Sequence, residues 1–238
     1  NKVREELAFS QWDMLIDSLI SDSIEFIEPN EDCPDMVFTA NAGFVFNEKV
    51  ILSSFRYPER QVEEKFFSEW FTSNGFEVIR VKSYYEGEGD HLLDSFKRHW
   101  VGYGFRTSLN VIGELESILG KKVYPLELVD SRFYHLDTCF CPLPHGELLW
   151  YPDAFSPQSQ ELIKSKFEKT IEVDEEDALN FTCNAIATFN DIIIPMNKKT
   201  TRKLRLLGYN VHELNLSEFI KAGGAAKCLV LNLSNVIV

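Results

Sequence analysis

Positive charge is scarce in this chain. Its 238 residues carry 24 lysines and arginines against 37 aspartates and glutamates, a formal net charge of −13. Such a surface repels phosphate backbones and anionic lipids, which argues against nucleic acid or membrane as the main partner. A small cationic ligand is compatible with it. Cysteine is sparse too. Cys33, Cys139, Cys141, Cys183 and Cys228 are odd in number, irregular in spacing and contain no CxxC pair. That is not the framework of a disulfide-stapled secreted domain, and it points to reduced thiols in a cytoplasmic setting. No apolar run approaches the roughly 18–20 residues that a membrane-spanning helix needs. Apolar residues are plentiful nonetheless, at 45% hydrophobic and 13% aromatic, so a chain of this length can bury a sizeable core.

No low-complexity linker breaks the sequence, but one unit recurs along it. Residues 59–74, "ERQVEEKFFSEWFTSN", place Val62, Phe66, Phe67, Trp70 and Phe71 at helical spacing before a stop at Gly75. The strand "FEVIRV", the polar loop "SYYEGEGD" and the apolar "HLL" follow. The same order recurs elsewhere. Residues 5–21 present Leu7, Trp12, Leu15, Ile16 and Leu19 as a helix face, then "IEFIEP", "NEDCPD" and "MVFTANAGFVF". Residues 107–119 end at Gly120 and lead into "VYPLELV", "DSRFYHLD" and "TCFCPL". Ser156-Pro157 is a good N-cap and first position for the next helix, which runs to Phe167. "IEV", "DEEDALN" and "FTCNAIATF" follow. Residues 198–207 open the last copy, which continues through Gly208, "VHEL" and "NLSEFIKAGGAAK" to "CLVLNL". Helix starts fall roughly 40–55 residues apart, the spacing of a repeated supersecondary unit. Five units in this length predict one closed ring over residues 1–238 rather than two domains.

A ring gathers equivalent loops on one axis. These loops deliver Asp35 and Asn41, then Glu86, Glu88 and Asp90, then His135 and Asp137, then Asn180, then Cys228. A cysteine, a histidine and several carboxylates together suit nucleophilic attack on a cation. The stretch "YHLDTCFCPL" puts His135, Asp137, Cys139 and Cys141 at every second position, which on a strand is one face. The ligand types suit zinc, but an extended strand carries the set over ~20 Å at about 3.3 Å per residue. One ion does not bridge that, so no metal is expected, and Cys139 and Cys141 are expected to be core.

Taken together, "PDMVFTANAGFV", "EGEGD", "GYGFRTS", "FYHLDTCFCPL" and "GGAAKC" resemble, in order, the guanidine-modifying enzymes. These are the amidinotransferase-like members of the pentein superfamily, the five-bladed α/β propellers. "FTANAG", "RFYHLDTCFCPL" and "AGGAAKCL" look most like the arginine dihydrolase domains, which convert arginine to ornithine, carbon dioxide and two ammonia. Members usually carry a stretch ahead of the first helix that this sequence lacks, so the first blade is expected to be incomplete. The resemblance implies Cys228 as nucleophile, His135 as acid/base and Glu86 as the carboxylate that orients and charges the histidine. It implies substrate contacts from Asp137 to the guanidinium, from Arg106 to an α-carboxylate, and from Asp35, Asn41 and Asp90.

A buried strand cysteine is the commonest fate of a free thiol; the small run Gly223–Ala226 before Cys228 argues for close approach of a ligand instead. Glu88 reads as a solvated turn acid. Asn180 and Asn184 read as residues that satisfy loop backbone groups. His91, His99, His145 and His212 match nothing catalytic and read as surface or core histidines. Deiminases tend to carry Asn and Asp where this chain has Asp35 and Asn41, which favours the two-step hydrolysis. The expected cofactor is none, the expected substrate is a small guanidine such as arginine, and a homo-oligomer is compatible with the sequence. Two alternatives remain. One is a deiminase, dimethylarginine dimethylaminohydrolase or amidinotransferase working on another guanidine compound. The other is a non-enzymatic binding propeller, against which the set Cys228, His135, Glu86 and Asp137 speaks.

Overall fold

Four short β-hairpins, each followed by a helix and a returning parallel strand, make up most of the molecule. The structure is a computed structural model describing residues 2–19 and 23–235. Helix α1 (Glu5–Ser18) comes first. Then β1 (Gly43–Phe46) and β2 (Lys49–Leu52) pair antiparallel, the helices α2 (Pro58–Gln61) and α3 (Glu63–Ser73) cross over, and β3 (Glu77–Arg80) pairs parallel with β2. After the single turn α4 (Gly87–Asp90), β4 (His91–Leu93), β5 (His99–Tyr103), helix α5 (Val111–Leu119) and β6 (Val123–Glu127) repeat the pattern. So do β7 (Phe140–Pro142), β8 (Leu148–Trp150), α6 (Pro157–Lys166) and β9 (Thr170–Glu172). Following α7 (Glu175–Leu179), β10 (Ile186–Thr188), β11 (Asp191–Pro195), α8 (Lys198–Leu206) and β12 (Asn210–Leu214) complete the fourth copy, and α9 (Ser217–Ile220) follows. Among the described residues the result is a mixed α/β fold of four three-stranded sheets in a propeller-like arrangement.

Local chemistry explains the elements. The middle strand of each sheet is apolar, as in "KVIL" and "DIIIP", because both of its faces are covered. Ser156 caps α6 by accepting from Ser159 N, with Pro157 in the first turn. Helix α5 buries Val111, Leu115 and Leu119 on one face and stops at Gly120, which is left-handed at φ 61°. Leu115 is fully buried, together with Phe44, Ile51 and Val101. Removing a side chain of this kind from water is worth about 1.5–3 kcal/mol.

The expected repeat is present with two differences. Each unit contains a hairpin partner that the helix–strand–loop–strand pattern omits: β2, β5, β8 and β11 are too short and too uniformly apolar to show a period of two. The fifth copy has its helix, α1, packed against α9 and β12, but "IEFIEP" and "CLVLNL" form no strand among the described residues. Residues 20–21, the expected end of the first helix, lie outside the described residues. "YHLDTCFCPL" is also not one strand. Residues Leu136–Thr138 are a 3-10 turn, and β7 begins only at Phe140, because the backbone of 135–139 folds on itself through Thr138 N to His135 O and Cys139 N to Leu136 O. The expected common face for His135, Asp137, Cys139 and Cys141 therefore does not exist. Cys139 and Cys141 are buried in the largely apolar cluster around Trp150 and Phe155. Among the described residues no group of three or more His, Cys, Asp or Glu side chains could hold a metal ion. No helix among them is long and apolar enough to cross a membrane.

Candidate active site

The segments ahead of the first strand of each sheet meet one another. The turn before β1 carries Asn41, α4 and its cap carry Glu86 and Asp90, the turn before β7 carries His135 and Asp137, and the loop before β10 carries Asn184. The turn at 225–229 brings Cys228 to the same place. Asn41, Glu86, Asp90, His135, Asp137, Asn184 and Cys228 are each 3% exposed or less, so the site is closed. Close approach demands glycine here. A Cβ on Gly89 would lie 2.1 Å from Asn41 Nδ2, and one on Gly224 would lie 2.5 Å from Phe38 and 3.0 Å from Cys228 Cβ.

Two linked pairs form the centre. His135 Nε2 lies 2.7 Å from Glu86 Oε2. Glu86 is fixed from other sides by Arg56 N, which donates to its Oε1 at 3.3 Å, and by Arg106 Nη1 at 3.6 Å from Oε2. Cys228 Sγ donates to Asp137 Oδ2 at 3.2 Å. Asp90 Oδ1 accepts from Leu136 N at 3.0 Å and so supports the turn between the two pairs. The other oxygens of these carboxylates, Asp90 Oδ2 and Asp137 Oδ1, are buried without a hydrogen-bond partner among the described residues. An orphaned buried acceptor is costly, and two of them in one closed site suit a ligand rich in N–H donors.

Electrostatics follow from this packing. Burial pushes the Asp90 carboxyl up to about 6, against the pull of His135 and Thr107. Burial also raises Asp137, although the His135 and Lys227 charges and the Cys228 thiol oppose it. Burial alone would lift Glu86, but the bond and charge of His135, with Arg106 and Arg60, hold it below its usual range. Burial alone would depress His135; Asp90, the bond to Glu86 and Asp137 outweigh it and raise the imidazole above its ordinary value. Burial and Asp137 push the Cys228 thiol well up, which favours the thiol over the thiolate.

The sequence-derived residues divide cleanly. Cys228, His135, Glu86, Asp137, Asn41, Arg106 and Asp90 come together as described. Arg106 lies over the rings of Tyr57 and Tyr134, at 4.6 and 4.7 Å from their centroids. Asp35 joins only indirectly: its backbone O accepts from Arg60 Nη2 at 3.1 Å. Glu88 is not solvated. It is buried and takes hydrogen bonds from Lys227 Nζ at 2.9 Å, Asn232 N at 3.1 Å and Asn235 Nδ2 at 3.0 Å, because the chain after Cys228 packs back over α4. Asn180 is exposed, and its Nδ2 only donates to the Glu176 backbone O of the preceding helix α7 at 2.9 Å. His91 and His99 are buried and bonded to each other, and His145 and His212 pair with Asn190 and Asp191.

Sequence reasoning missed Arg60, Tyr134 and the reach of Asn184. Arg60 is buried, is paired with Glu63, and donates from Nη1 to Asn41 Oδ1 at 2.8 Å. Its signal was the i,i+3 pair Arg60–Glu63 at a helix start, which looked like ordinary surface charge. Tyr134 donates to Gly223 O at 2.8 Å and stands beside His135; a tyrosine next to a catalytic candidate carries no distinguishing pattern. Asn184 satisfies loop backbone as expected, and in addition its Nδ2 lies 3.1 Å from Cys228 Sγ.

Comparison with known proteins shows the family. The chain matches the family described as N,N dimethylarginine dimethylhydrolase, eukaryotic, over residues 1–235. It is 46% identical over its whole length to the bifunctional arginine dihydrolase/ornithine cyclodeaminase ArgZ of Synechocystis sp., of which it spans 35%. It is 36% identical to the dimethylarginine dimethylaminohydrolase of Mycobacterium tuberculosis, with 96% of this chain and 76% of that protein covered. Among solved structures, the N-terminal domain of ArgZ bound to product superposes with a TM-score of 0.94 at 44% identity, covering 99% of this chain and 89% of that one. A variant of the same domain covalently bound to a reaction intermediate gives the same TM-score, identity and coverage. The chain thus spans about a third of the length of the first of these relatives.

Proposed function

Since the chain belongs to the dimethylarginine dimethylhydrolase family of guanidine-modifying hydrolases, we propose that it hydrolyses the guanidino group of arginine twice, to ornithine, carbon dioxide and two ammonia. Residues 1–238 act as a single catalytic domain, a five-bladed ring, in a reduced cytoplasmic setting. The observation that carries the reading is the closed site in which the Cys228 thiol meets Asp137 beside the His135–Glu86 pair, with Asn41 Nδ2 donating to the Glu86 backbone O. The relatives named arginine dihydrolase support arginine as the substrate.

Each group has a task. The orphaned Asp137 Oδ1 and Asp90 Oδ2 accept guanidinium N–H groups, which charge-assisted bonding favours. The incoming cation lowers the thiol pKa that burial and Asp137 keep high. The thiolate adds to the guanidinium carbon, His135 protonates the departing ammonia, and an amidino-cysteine remains. Water, activated by His135, then cleaves the C–S bond and leaves a ureido group. A second attack on the ureido carbon expels the second ammonia. Hydrolysis of that carbamoyl thioester returns the thiol and a carbamic acid, which falls apart into carbon dioxide and ornithine. Asn41 favours this second round, because Nδ2 can donate to a neutral ureido oxygen where a carboxylate would repel it.

Asn41→Asp should therefore shift the product from ornithine towards citrulline, and ammonia per arginine from two towards one. Chromatography of the two amino acids with parallel ammonia counting tests it. Wild-type enzyme that releases citrulline alone would replace the dihydrolase reading with the deiminase one. Arg106→Ala should hurt arginine more than agmatine, which lacks the α-carboxylate. Loss of a charge-assisted pair is worth about 1.5–3 kcal/mol, roughly one to two decades in kcat/KM. Because Arg106 also touches Glu86, part of the fall is shared by both substrates. The excess on arginine measures the clamp, and equal falls would make Arg106 structural.

A further inference from the structure

We propose that Asn184 is a catalytic residue: its side-chain amide N–H holds the Cys228 sulfur as thiolate, above all in the second attack, when the substrate no longer carries charge. This inference rests on the dihydrolase reading for its second-attack part only. The orientation of the amide is fixed by its partners. Asn184 Oδ1 accepts from Ala225 N at 3.0 Å and Cys228 N at 3.2 Å, groups that can only donate. Nδ2 must then face the acceptors, and it donates to the Asp137 backbone O at 3.1 Å and to Cys228 Sγ at 3.1 Å. The side chain is fully buried, so water does not compete for these bonds.

A hydrogen bond to a neutral thiol is weak, and the same bond to a thiolate is charge-assisted. Asn184 thus favours the reactive form over the resting one. In the first attack the guanidinium supplies a positive charge against the sulfur. A ureido group supplies none, and the thiolate must then be carried by what the protein holds in place. Burial and Asp137 push the thiol up, while the Ala225 backbone and the Asn184 amide pull it down. The other titratable groups in its field are Tyr134 and Lys227, with His135 acting through Asp137. Among these, Asn184 adds a donor in contact with the sulfur without adding a charge that would repel a cationic substrate.

Asn184→Asp separates this role from backbone anchoring. The carboxylate keeps both acceptor contacts to Ala225 N and Cys228 N, but it removes the donor at the sulfur and at the Asp137 backbone O and adds a negative charge, so the uncharged Asn184→Ser is measured beside it. The pH dependence of Cys228 alkylation by iodoacetamide, followed by peptide mass spectrometry, should shift upward by about one unit or more in the variant. Arginine turnover should fall about ten- to a hundredfold, and released citrulline should appear beside ornithine. Asn184→Ser retains an acceptor and adds no charge; it should shift the alkylation profile in the same direction by less, and it decides the matter if the aspartate variant does not fold. Alkylation profiles that coincide with wild type would reduce Asn184 to an anchor and overturn the proposal. If wild-type enzyme yields only citrulline, the dihydrolase reading fails, while the alkylation shift still judges the contact to the sulfur.

Discussion

Cys228→Ser should lose at least about three decades of turnover while keeping its fold, since a hydroxyl at neutral pH has no counterpart to the thiolate. The fold should survive because the side chain's contacts are ones a serine can reproduce. Oγ can donate to Asp137 Oδ2 and accept from Asn184 Nδ2, as Sγ does at 3.2 and 3.1 Å. The turn itself is held by backbone groups of residues 225–229 and by Asn184. The change in stability should stay within about 1–2 kcal/mol. Arginine should still bind, because the orphaned oxygens of Asp137 and Asp90 are untouched. Circular dichroism, thermal unfolding and an ammonia assay on one preparation provide the check. Activity retained within tenfold of wild type would remove Cys228 as nucleophile and with it the covalent mechanism.

Those two partners also show what could be read from the sequence and what could not. Cys228, His135, Asp137 and Glu86 were legible because the repeat gathers their loops, and the family resemblance of those loops singled them out among the other loop residues. The crossover helices were legible from their apolar spacing and stops, as at Ser156 and Gly120. The second strand of each hairpin, β2, β5, β8 and β11, was not, because three to five mostly buried residues show neither a period of two nor one of 3.6. Turn geometry hid the rest. "YHLDTCFCPL" alternates in the sequence, yet its first half is a 3-10 turn, and only that turn aims His135 at Glu86 and Asp137 at Cys228 from neighbouring positions. Glu88 was misjudged and Arg60 was passed over for a common reason. A charged side chain reads as surface until its partner is known, and the partners Lys227 and Asn41 lie 139 and 19 residues away. Contacts of that separation are set by the closing of the chain, to which local pattern is blind.

Glu86→Gln should cut kcat at neutral pH by about a hundredfold and move the alkaline fall of activity to lower pH. The protonated imidazole is the acid that releases ammonia, so the fraction of His135 carrying its second proton enters the rate directly. Glu86 Oε2 at 2.7 Å is the group in direct contact with that proton, and it helps Asp90 and Asp137 to hold the imidazole above its ordinary value against burial. An amide in its place removes the charge while keeping the shape. Burial then depresses His135, and the protonated form is lost at a pH where wild type still keeps it. The same change alters stability with a defined sign. His135 is raised in the folded state, so its contribution is full below the unfolded value of about 6.5 and fades as pH rises through the folded value. Glu86 is lowered in the folded state, so its contribution is present above about 4.5 and fades as pH falls. The wild-type advantage over Glu86→Gln should therefore be greatest in the window between roughly pH 4.5 and 6.5 and shrink on either side. A pH series of kcat and of urea midpoints for both proteins measures the two effects independently. An unchanged alkaline limb, with a uniform loss at every pH, would mean that Glu86 only fills space beside His135 and that the acid is held by Asp90 and Asp137 alone.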